Sequence, residues 1–185
     1  MKSILSSFAL TLAASALTIE FSNQCDFPIW AAIGSAPWGN PDPSIVFGQK
    51  IAHNGGKASY KVSDMAVGIR AWGRTGCDDN GDSCETGGCN GGLICTDAGI
   101  TSGVIVSEYG YANFGPNYGG ERTSWDLSHV NLSVNIPTRV MVTDGQSVAC
   151  TSLSCAADEA YSSSADYAAD RNSPLGQTYT HVFCP

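Results

Sequence analysis

The residues of this chain with the most chemical potential are its eight cysteines. Four of them, Cys77, Cys84, Cys89 and Cys95, crowd one polar, glycine-rich segment. Such a stretch has no apolar face to bury, so cross-links must hold it. Disulfides and metal coordination compete for the role. Zinc is disfavoured because the close C-x2-C pairs of a knuckle are missing. A calcium loop starting at Asp78 would have Asp78, Asn80 and Asp82 in alternation. Its sixth position, however, is Ser83 and its twelfth is Cys89 rather than a glutamate. The three histidines, His53, His129 and His181, are scattered and suggest neither a metal set nor a triad. No metal and no cofactor is therefore expected. Asn131-Leu132-Ser133 is an N-glycosylation sequon, which makes Asn131 a candidate modification site, with an unoccupied asparagine as the alternative.

Cysteine chemistry depends on compartment, and the first residues speak to that. Met1-Lys2-Ser3 is a short basic start, Ile4 to Ala14 is mostly apolar, and Ala14-Ser15-Ala16 is a small-x-small cleavage site. Residues 1–16 read as a secretory signal peptide, too short to span a bilayer. A secreted chain meets an oxidising environment, where disulfides are the default. The mature part, residues 17–185, fits one domain and is expected to be a monomer. No later run approaches the ~20 apolar residues of a membrane span. Nine basic residues against 17 acidic ones give a net charge of -8. That balance argues against nucleic acid, which needs clustered cations, and against anionic membrane surfaces.

The elements that must position any site are short strands. Leu17, Ile19 and Phe21 alternate with Thr18, Glu20 and Ser22. Further strands are expected at residues 29–33, 58–62, 67–74, 103–111, 139–143 and 179–183, rich in Val, Ile, Tyr and Thr. Turn residues such as Asn54-Gly55-Gly56 separate them, and Pro37 to Pro43 is a Pro/Gly/Asn/Asp loop. Ala156 to Arg171 is the only Ala-rich stretch, and its serines weaken it as a helix. An all-β sandwich or flattened barrel follows.

Several runs then resemble the thaumatin-like (osmotin) family along nearly the whole mature chain. They include Phe21-Ser22-Asn23-Gln24-Cys25, Arg70-Ala71-Trp72-Gly73-Arg74-Thr75-Gly76-Cys77 and Glu85 to Cys95. Trp125-Asp126-Leu127-Ser128 and the Phe183-Cys184-Pro185 ending complete the set. The cysteine-rich middle insertion of the large members is missing, so the chain looks like a small thaumatin-like protein of the kind found in cereals and fungi. The resemblance implies a flattened β-sandwich with disulfide-stapled loops. It also implies the pairs Cys25–Cys184, Cys77–Cys84 and Cys89–Cys95. Cys150 and Cys155 match positions whose usual partners are absent here, which leaves them to pair with each other. Spacing alone could not choose among the 105 pairings that eight cysteines allow.

The family carries a cleft of one Arg, one Glu and three Asp linked to β-1,3-glucan binding and, in some members, weak glucanase activity. Carried over by position, these are Arg70, Glu108 and Asp126, with the second aspartate replaced by Asn131. The third falls at Asp166, with Asp170 as the alternative. Tyr109, Tyr111, Phe114, Tyr118 and Trp125 lie near the acids in sequence and could stack on sugar rings, although Trp125 reads better as core. For hydrolysis, Glu108 would be the acid and Asp126 the base or nucleophile. With one acid lost at Asn131 and an open cleft, both carboxyls are expected to stay solvated near ~4, so little turnover is expected. An Arg70–Asp126 ion pair that merely holds two strands is the bland alternative. The expected function is secreted binding of β-1,3-glucan or a related cell-wall polysaccharide, in defence or at the cell wall. A weak endo-β-1,3-glucanase and an inhibitor that binds another secreted protein are the rivals.

Overall fold

The computed structural model describes residues 15–96, 103–130 and 133–185. Asn131 and residues 1–14 of the expected signal peptide lie outside the described residues. Among the described residues there are two sheets and two short 3-10 turns, and no α-helix. Strands are numbered along the chain. One sheet has the order β4 (Gly56–Ser63), β1 (Ala16–Asn23), β11 (Thr178–Phe183), β8 (Thr138–Val142), β9 (Ser147–Cys150). The other has the order β10 (Arg171–Pro174), β7 (Glu121–Ser128), β6 (Val106–Asn113), β5 (Ile69–Arg74), β2 (Ile29–Ser35), β3 (Phe47–Ile51).

The period-2 patterning of the strands sets which face looks inward. In β1, Leu17, Ile19 and Phe21 are buried while Thr18, Glu20 and Ser22 face outward. Between the sheets these residues meet Ile33, Ala71, Trp125, Leu127, Val140, Tyr179 and Phe183 in one apolar core. Tyr179 sits edge-on to both Tyr109 and Trp125, with ring centroids 4.9 and 5.6 Å away. His181 is buried in the same core, its Nε2 2.7 Å from both Ser107 Oγ and Tyr109 Oη. Burial pushes its pKa down to about 3, so the imidazole is neutral. Tyr109 and Trp125 are thus core residues rather than rim aromatics.

The two chain ends pair as parallel neighbours, Phe21 opposite His181, and Cys25–Cys184 joins them just beyond. Cys77–Cys84, Cys89–Cys95 and Cys150–Cys155 complete the disulfides, and no cysteine is free. The four pairs are those the family resemblance and the missing partners implied.

Residues 75–96 form a lobe, built almost wholly of turns, that covers part of the outer face of the six-stranded sheet. It lies so close to β3 that a Cβ on Gly48 would fall 1.5 Å from the Leu93 carbonyl oxygen. Two side chains from β5 hold the lobe down. Trp72 donates from Nε1 to the Gly87 carbonyl at 2.8 Å. Arg74, fully buried, donates to the carbonyls of Trp30, Gly81, Gly92 and Leu93. A polar segment without an apolar face is thus organised by a buried cation as well as by disulfides. Desolvation lowers the Arg74 pKa to about 10, against the raising effect of Asp82, and leaves it charged at neutral pH.

Four strands were not expected from the sequence: β3, β7, β9 and β10. The Ala-rich stretch forms turns and a 3-10 turn at Tyr167–Ala169.

Candidate functional site

β-sheet register, rather than sequence proximity, assembles the candidate site. Arg70 on β5 stands opposite Glu108 on β6, and Glu108 stands opposite Asp126 on β7. Gly34 on β2 continues the row on the Arg70 side. Because side chains alternate, all of them project from the outer face of the six-stranded sheet. On β10, Arg171 pairs with Trp125, so Asp170 just before it lies beside Asp126. The row crosses three strands and ends where the segment before β10 folds over β7. Next to it on the same face, Gly110 stands opposite Ser124, which keeps the floor low. On its other side, Trp72 and Val106 are covered by the lobe.

The carried-over acids therefore fare differently. Arg70, Glu108 and Asp126 come together. Asp166 does not join them. Its side chain accepts from the Ala168 amide and from Ser162 Oγ, and it caps the 3-10 turn. Asp170 is the acid whose charge reaches Asp126. The sequence left both Asp166 and Asp170 open because the stretch between β9 and β10 has no regular period to anchor an alignment. Asn131, one residue past the described end of the β7 connection, has no described geometry.

Arg70 Nε donates to Glu108 Oε1 at 2.8 Å, and both side chains remain partly exposed. The ion pair in the row is therefore Arg70–Glu108, not Arg70–Asp126. Asp126 is recessed, and its Oδ1 is buried without a hydrogen-bond partner. Burial, then the charges of Glu108 and Asp170, push its pKa up to about 8, only partly offset by Arg70. Asp126 is thus protonated at neutral pH, whereas the sequence led us to expect a solvated carboxylate near ~4. The sequence assigned the acid role to Glu108 and the base or nucleophile role to Asp126; of the two, Asp126 is the carboxyl whose proton is held by burial.

Tyr161 was not singled out in the sequence. Its backbone joins the end of β7, with its amide donating to Leu127 and its carbonyl accepting from His129. Its hydroxyl donates to Asp170 Oδ1. Burial, Asp170 and Asp126 all push that phenol well above the usual tyrosine range, so it stays a donor. The remaining aromatics divide. Tyr111 is half-buried and donates to Glu121 Oε1 at 2.8 Å. Phe114 and Tyr118 are exposed on the turn between β6 and β7. As for metals, His129 lies near Cys150 and Cys155, but both sulfurs are committed to a disulfide.

Fold and site together define a disulfide-stapled β-sandwich bearing an Arg–Glu–Asp row on one open sheet face. The Thaumatin family profile matches residues 23–185, and the chain belongs to that family. It is 30% identical to the thaumatin-like pathogenesis-related protein 4 of Avena sativa, over 94% of this chain and 90% of the relative. It is also 30% identical to the thaumatin-like protein PWIR2 of Triticum aestivum, over 93% and 90%. Against the longer pathogenesis-related thaumatin-like protein 3.7 of Cryptomeria japonica the figures are 32%, 78% and 55%. The fold resembles that of the thaumatin-like xylanase inhibitor TLXI, with a TM-score of 0.61 at 21% identity, covering 90% of this chain and 99% of the inhibitor.

Proposed function

We propose that this protein is a secreted carbohydrate-binding member of the thaumatin family that engages β-1,3-glucan or a related cell-wall polymer through the Arg70–Glu108–Asp126 row. The observation that carries the reading is the register that sets an Arg70–Glu108 ion pair beside the unpartnered Asp126 carboxyl across three strands of one sheet face. Arg70 holds Glu108 as an acceptor, while burial keeps Asp126 protonated, so that it can donate as well as accept. Asp170, fed by the Tyr161 hydroxyl, extends the acceptors at one end. Alternating donors and acceptors suit the hydroxyls of a neutral sugar polymer, and a surface with net charge -8 disfavours an anionic one. Eight paired cysteines fit an extracellular, oxidising setting.

The same observation favours a second reading, hydrolysis of that polymer. Glycoside cleavage needs one protonated and one ionised carboxyl, and here the acid would be Asp126 and the base or nucleophile Glu108. Inhibition of another secreted protein, such as a hydrolase, is the rival of a different class; the name of TLXI states xylanase inhibition for that protein.

A polysaccharide panel decides among them. Purified mature protein should co-sediment with insoluble β-1,3-glucan and release no reducing ends. Release that Glu108→Gln abolishes would replace binding by hydrolysis. Retention by none of the polymers would overturn both.

A further inference from the structure

Trp38 is the most exposed large apolar side chain among the described residues, at 91%. The other three tryptophans, Trp30, Trp72 and Trp125, are each at most 4% exposed. Trp38 also holds a left-handed backbone, φ 55° and ψ 27°, a region in which a bulky residue is strained. Its loop is nonetheless built to be rigid. Pro37, Pro41 and Pro43 fix three of its dihedrals. Ala36 donates to Gly68, Gly39 to Ala36, Asn40 to Pro37 and Asp42 to Ser35, at 2.8–3.0 Å. Pro37 packs so tightly on the turn before β5 that a Cβ on Gly68 would lie 2.8 Å from its Cα. A protein that holds an indole in water, in a strained conformation, on a braced loop gains no stability from it.

The loop leaves β2 directly after Gly34 and Ser35, and Gly34 pairs with Arg70. The loop that carries Trp38 therefore lies on the Arg70 side of the acid row, at the end of the six-stranded sheet where the β6–β7 turn carries Phe114 and Tyr118. We propose that Trp38 is a sugar-stacking anchor that extends the polysaccharide site beyond the Arg70–Glu108–Asp126 row. The proposal rests on the glucan-binding reading given above. An indole face beside a row of hydrogen-bonding groups meets both needs of a pyranose ring, whose C–H face stacks while its hydroxyls bond. A protein partner fits less well. Asn40, Asn113, Asn117 and glycines separate the rings, and Met65 is the one largely exposed aliphatic residue on these loops, so no continuous apolar core forms.

Because its three companions are buried, Trp38 is the indole that iodide can reach, and quenching of intrinsic fluorescence reports on it alone. Soluble β-1,3-glucan should protect the quenchable fraction. Trp38→Ala should weaken binding about tenfold, the size of one lost hot-spot contact, and Trp38→Tyr should restore most of it. Trp38→Gly should weaken binding equally while raising the melting temperature, because glycine accepts the positive φ without strain. A Trp38 that stays fully quenchable in the glucan complex, or a Trp38→Ala variant with unchanged affinity, overturns the anchor and leaves the acid row standing. Protection of Trp38 together with unchanged affinity in Glu108→Gln supports the anchor and removes the row. Absence of any glucan binding, or protection by a secreted glycoside hydrolase in its place, overturns both.

Discussion

Asp126 is the residue on which the chemistry of the site turns. Burial, and after it the charges of Glu108 and Asp170, push its pKa up to about 8. A 13C NMR titration of its side chain should show a midpoint near 8, and a midpoint near 4 would mean that the carboxyl is solvated. Above that pH it becomes a second anion beside Glu108 and loses its donor, so glucan binding should weaken as pH rises through 8. Asp126→Asn keeps a donor that cannot ionise, and its binding should be close to wild type at pH 7 and flat to pH 9. The family resemblance singled out Asp126 as a cleft acid, but its raised pKa was not legible in the sequence. Burial of Asp126 depends on the Tyr161 segment, and Asp170 enters through the pairing of Arg171 with Trp125, a contact 46 residues away in sequence. Trp38 was visible only as part of a proline-rich loop, because exposure and positive φ are properties of the folded chain.

At the level of elements, alternation carried the reading as far as it went. β1 shows a strict period of two and was found, as were β2, β4, β5, β6, β8 and β11. The edge strands β3, β9 and β10 are four or five residues long, too short for a pattern to stand out. β7 does alternate, with Thr123, Trp125 and Leu127 inward and Arg122, Ser124 and Asp126 outward, but its charged start at Glu121-Arg122 hid it. The cross-links should differ in worth because they close loops of different length. Cys25–Cys184 spans 159 residues and should contribute about 5 kcal/mol, whereas Cys150–Cys155 spans 5 and should contribute about 2 kcal/mol. Urea unfolding of the paired Cys→Ser variants tests that ranking, and equal losses would contradict it. In the lobe, Arg74→Met leaves buried carbonyls unpartnered and should cost on the order of 3 kcal/mol. Hydrogen exchange should localise that loss to residues 75–96 and spare the strands of the five-stranded sheet.

For the whole molecule, two buried groups shape stability in opposite directions. His181 is neutral when folded, with its pKa at about 3 instead of 6.5, so the unfolded chain binds the extra proton and stability falls as pH drops from about 6.5 toward 3. Asp126 binds its proton more tightly when folded, at about 8 instead of 3.8, so stability falls as pH rises from about 4 through 8. Between about 4 and 6.5 the two slopes cancel. The melting temperature should therefore be level across that window and fall on either side, and Asp126→Asn should flatten the alkaline limb. A melting temperature still climbing between pH 6.5 and 8 would contradict the burial of Asp126. The central claim concerns what the folded molecule binds, and the most direct measurement is a calorimetric titration of soluble β-1,3-glucan into wild-type protein and Glu108→Gln at pH 6. The account predicts saturable binding by the wild type, weakened about tenfold in the variant by loss of a charge-assisted acceptor. Equal affinity in the two proteins, or no heat of binding in either, would contradict it.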